Sequence, residues 1–562
     1  MDFERQGSAS KAGFLDRHDA LIIFVIGIFL LLPCIWCETS ITGQDEYWLS
    51  FRTPMETMEH GGWFTPWVNG EPRLKKPPLL YWAMLLSYKL LGINLFAARI
   101  WGVLAGAGLA ACSTLLYREL FNKSGILAGL ITLATISVAI EGRRAMLDLP
   151  LAFFTAMAVF FAIKWGKSGR SGWIFLAAFS LGLSFLVKGP VGIILFAVAS
   201  ASALSVFRKW QFFSSNWVQV FLASVLVLAV SLPWPITMVY QWPGFLEVID
   251  SEVAARGIGT LHMGSPFSTL GGAFGLVFPW SLILLAALIR SIYRAKEDTG
   301  RRDLWLSTWF FGCVIPFFFI RSFARYMTPL IPAATVLCAH WLEQMKGAWK
   351  TSFLGISMSL MALISVSFCL FFIWFGHGVP MAVISLMAVA LMLWLTFSKS
   401  DVTMVAGSVA LLFCLIMGGL YPNLGVNAMP PDLDEIVGSR PVAAYNSSQP
   451  SMLSIRLKRS AMRVRSFAEE DLRRLKDFDG FVFVRGSDVK GFEALAEKLG
   501  IHVLKVDQFK TFYSRQAWIR FAREDATAED WKAAVQQRSL TDLRPTIFYY
   551  RVRPDHKMKR DL

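Results

Sequence analysis

Apolar residues in this chain run in blocks of about the length needed to cross a bilayer as a helix, roughly 20 residues or a few fewer. The blocks are residues 20–36, 95–117, 125–140, 149–165, 173–187, 191–207, 217–240, 270–289, 304–320, 326–342, 353–375, 379–397 and 403–421. That predicts about thirteen spans. One further block, 78–92, is short and interrupted by Lys89. Charge decides how to read it. If it does not span, the loops holding Arg118/Lys123, Lys164/Lys167/Arg170, Arg208/Lys209, Arg290/Arg294/Lys296/Arg301/Arg302, Lys346/Lys350 and Lys399 all share the side of the basic N-terminus. The positive-inside rule then places that side in the cytoplasm. Residues 78–92 are accordingly expected to lie in the interface, with Tyr81, Trp82 and Tyr88 as aromatic anchors. The first block follows Arg5, Lys11 and Arg17 and has no small-x-small cleavage site, so it reads as an uncleaved span.

After residue 421 the pattern changes. Residues 442–445, 481–484, 502–506 and 547–551 are short, rich in β-branched and aromatic residues, and predict strands. Ser466 with Glu469 and Thr527 with Asp530 have the spacing of capping boxes that open helices. The expected fold is therefore a polytopic α-helical membrane protein over residues 1–421, with its first outer loop at 38–94. A soluble α/β domain over 422–562 follows it on the periplasmic side, because the number of spans is odd.

Composition supports this division. The 562 residues are 55% hydrophobic and only 17% charged, which excludes an ordinary soluble protein. The net charge of +15 is accounted for by cytoplasmic loops, so no nucleic-acid partner is expected. The seven cysteines lie in or beside apolar segments and imply no disulfide framework. Cys34-Ile-Trp-Cys37 has redox-pair spacing but no thioredoxin-like context, and buried thiols are the expectation. Without an internal repeat, an inverted-repeat transporter is not supported.

This topology isolates a second set of charges on the outer side: Asp45, Glu46, Lys75, Lys76, Arg143, Arg144, Asp148, Lys188, Glu252, Arg256, Arg321 and Arg325. Basic residues at outer span ends run against the positive-inside bias, and charges at the bilayer edge are costly unless paired or used. Arginine as a bidentate fork and lysine as a point charge suit a phosphate, and a lipid phosphate sits at this depth. Any single member has a plainer reading. Arg144 and Asp148, for example, have the i, i+4 spacing of a helix-surface pair. Asp45 and Asp148 stand at outer span boundaries in basic surroundings, where a carboxylate can take a proton from a hydroxyl nucleophile. Glu46, Glu252 and His262 could converge on a metal, but no ligand spacing such as H-x-x-x-H occurs.

Asp45-Glu46, Gly61-Gly62-Trp63-Phe64-Thr65-Pro66-x-x-Asn69-Gly70, Lys76-Pro77-Pro78-Leu79-x-Tyr81-Trp82, Leu147-Asp148-Leu149-Pro150, Leu186-Val187-Lys188-Gly189-Pro190, Glu252-x-x-x-Arg256, Phe278-Pro279-Trp280-Ser281 and Arg325-Tyr326-x-x-Pro329-x-x-Pro332 occur in this order. Together they resemble the protein O-mannosyltransferase and lipid A aminoarabinose transferase superfamily of GT-C glycosyltransferases, with the aminoarabinose transferases nearest. The resemblance implies a multi-span enzyme of the bacterial inner membrane. Such an enzyme takes a sugar from a polyprenyl-phosphate carrier on the periplasmic face and transfers it, with inversion, to lipid A or a related lipid or glycan. The alternatives are transfer to secreted proteins and, in a different class, a flippase for lipid-linked sugars.

Carried over by position, Asp45 matches the catalytic aspartate, with Glu46 beside it, and Asp148 the second aspartate. Lys76, Lys188 and Arg256 match phosphate-binding residues, and Lys75, Arg144, Glu252, Arg325 and Tyr326 complete the expected site. The chain departs from the aminoarabinose transferases at Trp48 and Lys75, where they tend to carry arginine and glutamate. That glutamate can help hold a structural zinc, so no metal is expected here, and no cofactor. Membrane lipids are the remaining partner.

Overall fold

The computed structural model describes residues 14–255, 266–297, 300–320, 323–398, 400–446, 448–515, 518–520 and 522–554. Helices occupy every apolar block named above. Six of the described helices are long and apolar enough to cross a membrane, and up to eight spans result if each of two bent pairs counts as one. In the first pair Trp217–Ser231 meets Pro233–Gln241 at 42°. Pro233 lacks the N–H that would continue the ladder. In the second, Phe267–Leu276 meets Ser281–Tyr293 at 106°, so block 270–289 is not the single straight span its apolarity predicts.

Block 125–140 is likewise divided, into Ile126–Leu133 and Ile136–Glu141. The polar groups freed at the break are satisfied inside the protein: Trp280 Nε1 donates to the Ala134 carbonyl at 2.9 Å, and Ile136 N to that of Phe278. Short helices inside a bundle do not need bilayer length, and periodicity cannot distinguish them from spans.

Helix Leu95–Phe121 is packed against its neighbours through small residues. At Gly102 an added Cβ would lie 2.4 Å from the Arg144 carbonyl, so only glycine lets the segment before Asp148 approach this closely. Trp280, Trp305 and Trp309 are fully buried in the same core. Helices Trp217–Ser231, Ala348–Trp374 and Val379–Phe397 turn large apolar side chains outward, including Phe221, Leu363 and Met387. Such faces suit a hydrocarbon environment.

In helix Leu79–Leu91 two of the three expected aromatic anchors do not face outward. Tyr81 and Tyr88 are 3% and 2% exposed, inside the protein, and Tyr88 Oη donates to the Phe51 carbonyl. The outward residues are Leu86, Lys89, Leu90 and Leu91. The cysteines also need a correction, because Cys34 and Cys37 are joined as a disulfide. The turn after the first helix, with Cys34 at φ 63°, brings their Cα atoms to 5.2 Å, within bridging range.

Between the first two apolar blocks a small hairpin pairs β1 (Trp67–Val68) with β2 (Glu71–Pro72) through Asn69-Gly70. Both turn residues have positive φ, 61° and 74°, as a two-residue hairpin turn of this type requires. The C-terminal region builds one five-stranded sheet from β3 (Val442–Tyr445), β4 (Ala461–Val464), β5 (Gly480–Arg485), β6 (Ile501–Lys510) and, after the small pair β7 (Tyr513–Arg515) and β8 (Trp518–Arg520), β9 (Thr546–Pro554). Its order is β4-β3-β5-β9-β6. The β3 pairings with β4 and β5 are parallel and are bridged by helices Pro450–Leu457 and Glu469–Lys476, whereas β9 runs antiparallel between β5 and β6.

All four expected strands are present; β4, only four residues long and carrying Arg463, was not foreseen. The Thr527/Asp530 capping box forms. Ser466 does not cap, because its backbone N–H is taken by Asn446 and the helix starts from Ala468.

Candidate functional site

Asp45 and Glu46 open the five-residue helix Gln44–Trp48, and their environments differ completely. Glu46 is fully buried. Its Oε1 lies 2.9 Å from Arg99 Nε and accepts from Ala145 N, and its Oε2 accepts from Gly43 N. Arg99, also fully buried, donates onward to the Ile35 and Cys37 carbonyls and to Thr42 Oγ1. Glu46 therefore belongs to the scaffold that holds the loop, not to a reacting face. Asp45 is half-buried, and its carboxylate has no hydrogen-bond or ion-pair partner among the described residues.

Three elements converge near Asp45. Asp148 starts helix Asp148–Ser168, and Lys188 ends helix Ser171–Lys188. Arg325 lies in the turn Ala324–Leu330. Asp148 is 2% exposed; Lys188 Nζ bonds its Oδ1, and Arg325 Nε stands 3.3 Å from its Oδ2 without the alignment of a hydrogen bond. Tyr326 lies under both cations, with Lys188 Nζ 3.6 Å from its ring centroid and the Arg325 guanidinium 5.4 Å away. Burial opposes the charge of Arg325, but Asp148 and Asp45 offset that and hold its pKa above the ordinary arginine range. Asp45 also acts electrostatically on Lys188 and on Tyr81, which puts it at the edge of this cluster.

Lys76 Nζ pairs with Glu252 Oε1 at 2.7 Å, tying the first loop to helix Phe245–Ala254, and both side chains remain partly open. Lys75 is exposed and has no partner among the described residues. Arg144 does not pair with Asp148 as its spacing allows. It turns back to Glu141 at 2.8 Å, leaving Asp148 to Lys188 and Arg325. Arg256, His262 and Arg321 lie outside the described residues. Glu46 on Arg99 and Glu252 on Lys76 are each committed elsewhere, and no cluster of three metal-ligating side chains occurs among the described residues.

Sequence reasoning passed over Arg99, Glu141 and Arg73. Arg73 Nε donates to Tyr81 Oη at 2.9 Å. Arg99 lies inside an apolar block and reads as a cost to be explained, which is the signal that would have found it. The C-terminal sheet also reaches this loop. Asn69 Oδ1 accepts from Arg463 N at 2.9 Å and from Arg52 Nη2 at 3.1 Å, while its carbonyl accepts from Arg474 Nη1 at 2.8 Å. The Arg463 guanidinium lies 4.4 Å from the Trp48 ring centroid, one turn along from Asp45.

A family model described as dolichyl-phosphate-mannose-protein mannosyltransferase matches residues 75–236. An undecaprenyl phosphate-alpha-4-amino-4-deoxy-L-arabinose arabinosyl transferase of Pseudomonas fluorescens is 26% identical over 58% of this chain and 58% of its own length. An uncharacterized protein of Aquifex aeolicus is 25% identical over 56% of this chain and 64% of its own. The chain thus spans about six-tenths of these curated relatives. The crystal structure of ArnT from Cupriavidus metallidurans bound to undecaprenyl phosphate superposes over 96% of this chain and 98% of that one, with a TM-score of 0.67 at 18% identity, a likeness of fold. The resemblance of this chain to the protein O-mannosyltransferase and lipid A aminoarabinose transferase superfamily of GT-C glycosyltransferases is therefore carried by a family model, by curated relatives and by a solved fold together.

Proposed function

We propose that the protein is a polyprenyl-phosphate-sugar-dependent glycosyltransferase working at the periplasmic face of the bacterial inner membrane, with lipid A or a related lipid or glycan as acceptor. The observation that carries this is the contrast around Asp45: a carboxylate with no protein partner among the described residues, beside the buried Lys188–Asp148–Arg325 cluster. A free carboxylate can meet an acceptor, and the cations can meet a phosphate.

In the reaction an acceptor oxygen attacks the anomeric carbon from the face opposite the carrier phosphate, the carbon–oxygen bond to that phosphate breaks, and the configuration inverts. Asp45 takes the proton if the acceptor is a hydroxyl. If the acceptor is a phosphate no base is required, and Asp45 positions it. Lys76, Lys188, Arg256 and Arg325 offset the charge that grows on the departing polyprenyl phosphate, and preorganised charges of this kind are worth several kcal/mol. Asp148 fixes the direction of Lys188 and Arg325, while Glu252 does the same for Lys76. The same reading takes about thirteen spans, with a cytoplasmic N-terminus and residues 422–562 in the periplasm.

The test is transfer by the full chain in lipid nanodiscs, supplied with undecaprenyl-phosphate-linked sugars and lipid A. Release of undecaprenyl phosphate together with a heavier lipid A supports the proposal. No release with any sugar or acceptor, from protein shown to be folded, refutes it.

A further inference from the structure

Arg73 is fixed at both ends. Its backbone N–H donates to the Pro66 carbonyl at 2.7 Å, which continues the β1–β2 hairpin, and its Nε donates to the buried Tyr81 hydroxyl at 2.9 Å. Arg73 lies three residues before Lys76 in the first loop, and Asp45 acts electrostatically on the hydroxyl it bonds, so the guanidinium is on the part of the loop that holds the proposed site. Among the described residues no carboxylate pairs with it. Asp45 forms no ion pair with it, and the other acids of the region are taken: Glu46 by Arg99, Glu56 by Arg52, Glu252 by Lys76 and Asp148 by Lys188 and Arg325, while Glu71 acts on Arg465.

With Nε occupied, the two terminal nitrogens of Arg73 remain as a fork, the edge that binds a carboxylate or phosphate through two parallel hydrogen bonds. An arginine whose orientation is set by one neutral hydroxyl, and which is only half-buried, is pre-organised for an anion that the protein does not supply. The exposed Lys75 adds a second cation two residues away.

We propose that Arg73 is a specificity-determining residue that reads an acidic group, carboxylate or phosphate, on the substrate bound at this site. Where that group is on the transferred sugar, the site disfavours a sugar with a free amine. This rests on the glycosyltransferase reading above. The acidic group belongs either to the transferred sugar or to the acceptor, and the two sources are separable.

Binding to the full chain in nanodiscs would be measured by competition against a fluorescent polyprenyl phosphate. The probes are sugar-free undecaprenyl phosphate and undecaprenyl phosphate carrying a hexuronate, a neutral hexose or an amino-pentose. With the group on the sugar, the hexuronate donor binds about tenfold tighter than the hexose donor, the loss of one charge-assisted contact, and the amino donor binds most weakly. Arg73→Gln then levels the three and leaves the sugar-free carrier unchanged. With the group on the acceptor, the three donors bind equally, and Arg73→Gln weakens a bisphosphorylated lipid A about tenfold but not its dephosphorylated form. Wild-type preferences that Arg73→Gln leaves within twofold of their wild-type values, or an amino donor that binds tightest, overturn the proposal. If Arg73→Gln does not fold, Arg73→Lys keeps the charge without the fork, and an unaltered preference in that variant overturns it equally. A wild-type protein that fails to bind even the sugar-free carrier refutes the glycosyltransferase reading, and this one with it. A carrier bound normally, with flat preferences both among the three donors and between the two forms of lipid A, refutes only the role of Arg73.

Discussion

Asp45 and Glu46 are adjacent in sequence and opposite in state: Glu46 is fully buried against Arg99 at 2.9 Å, while the half-buried Asp45 has no partner among the described residues. One turn of helix presents one acid to the scaffold and the other to the site. Glu46→Ala would strand the Arg99 charge in the interior, a change that costs about 3–5 kcal/mol when a buried pair loses one partner. The expected outcome is a clear fall in the thermal unfolding midpoint, partly recovered in a Glu46→Leu/Arg99→Met double variant. A double variant no better than the single would argue against the pair as the cause.

Asp45→Asn should behave in the opposite way. The carboxylate makes no bond that holds the fold, so the unfolding midpoint should stay where it is. Transfer to a hydroxyl acceptor should drop by about 10²- to 10⁴-fold, the usual contribution of a general base. Transfer to a phosphate acceptor should fall less. Initial rates with the two acceptor types therefore separate a base from a positioning group, and full turnover with both would remove Asp45 from the mechanism.

Much of this was legible in the sequence, and the misses share a cause. The apolar blocks, the four expected strands and the charges at the block ends can be read along the chain, because burial and periodicity act locally. Partner choice cannot. Arg144 has i, i+4 spacing to Asp148 yet bonds Glu141, because Lys188 and Arg325, 40 and more residues away, occupy Asp148. Tyr81 and Tyr88 have the look of interfacial anchors but face inward, since residues 38–78 fold over them, and nothing within helix Leu79–Leu91 records that. Cys34 and Cys37 are bridged by a turn that the apolar run conceals.

Asp148→Asn tests whether that cluster serves the phosphate. The amide keeps the shape but removes the counter-charge from two buried cations. Turnover should fall by about two orders of magnitude, because Lys188 and Arg325 lose their direction. Affinity for sugar-free undecaprenyl phosphate should be retained or raised, since the positive charge remains. Weakened carrier binding at unchanged turnover is the result that would sink this assignment.

Asn69 joins the hairpin to the C-terminal region through two hydrogen bonds, from Arg463 N and Arg474 Nη1, and to helix Arg52–Glu59 through a third from Arg52 Nη2, while holding a positive φ that asparagine tolerates better than most residues. Asn69→Ala loses the two side-chain bonds and strains the turn. Limited proteolysis of the full chain should cut between residues 421 and 442 faster in this variant. Asn69→Gly, which relaxes the turn but also lacks the side chain, should remain as easily cut. Protection restored by glycine would show that the turn, and not the contacts, governs docking.

The C-terminal sheet carries its own pH signature. Asp471 is 1% exposed, and burial alone would push its carboxyl up. Arg465 prevails, with its backbone N–H donating to Oδ2 at 3.0 Å, its Nε to the same oxygen at 2.6 Å and its Nη2 to Oδ1 at 3.2 Å. The folded pKa is therefore lowered from the ordinary carboxylate value. Above the unfolded value, about 3.9, both states are ionised and the contribution is complete. As pH falls below it, the unfolded chain takes up the proton first, and the contribution is lost on the way down to the folded pKa. Asp471→Asn should thus be less stable than wild type at pH 6, by a gap that narrows as pH falls from 6 through about 3.9, measured by unfolding midpoints at matched ionic strength. A gap between the two proteins that is constant across that range would show that the Arg465 contacts stabilise the sheet by shape and not by charge.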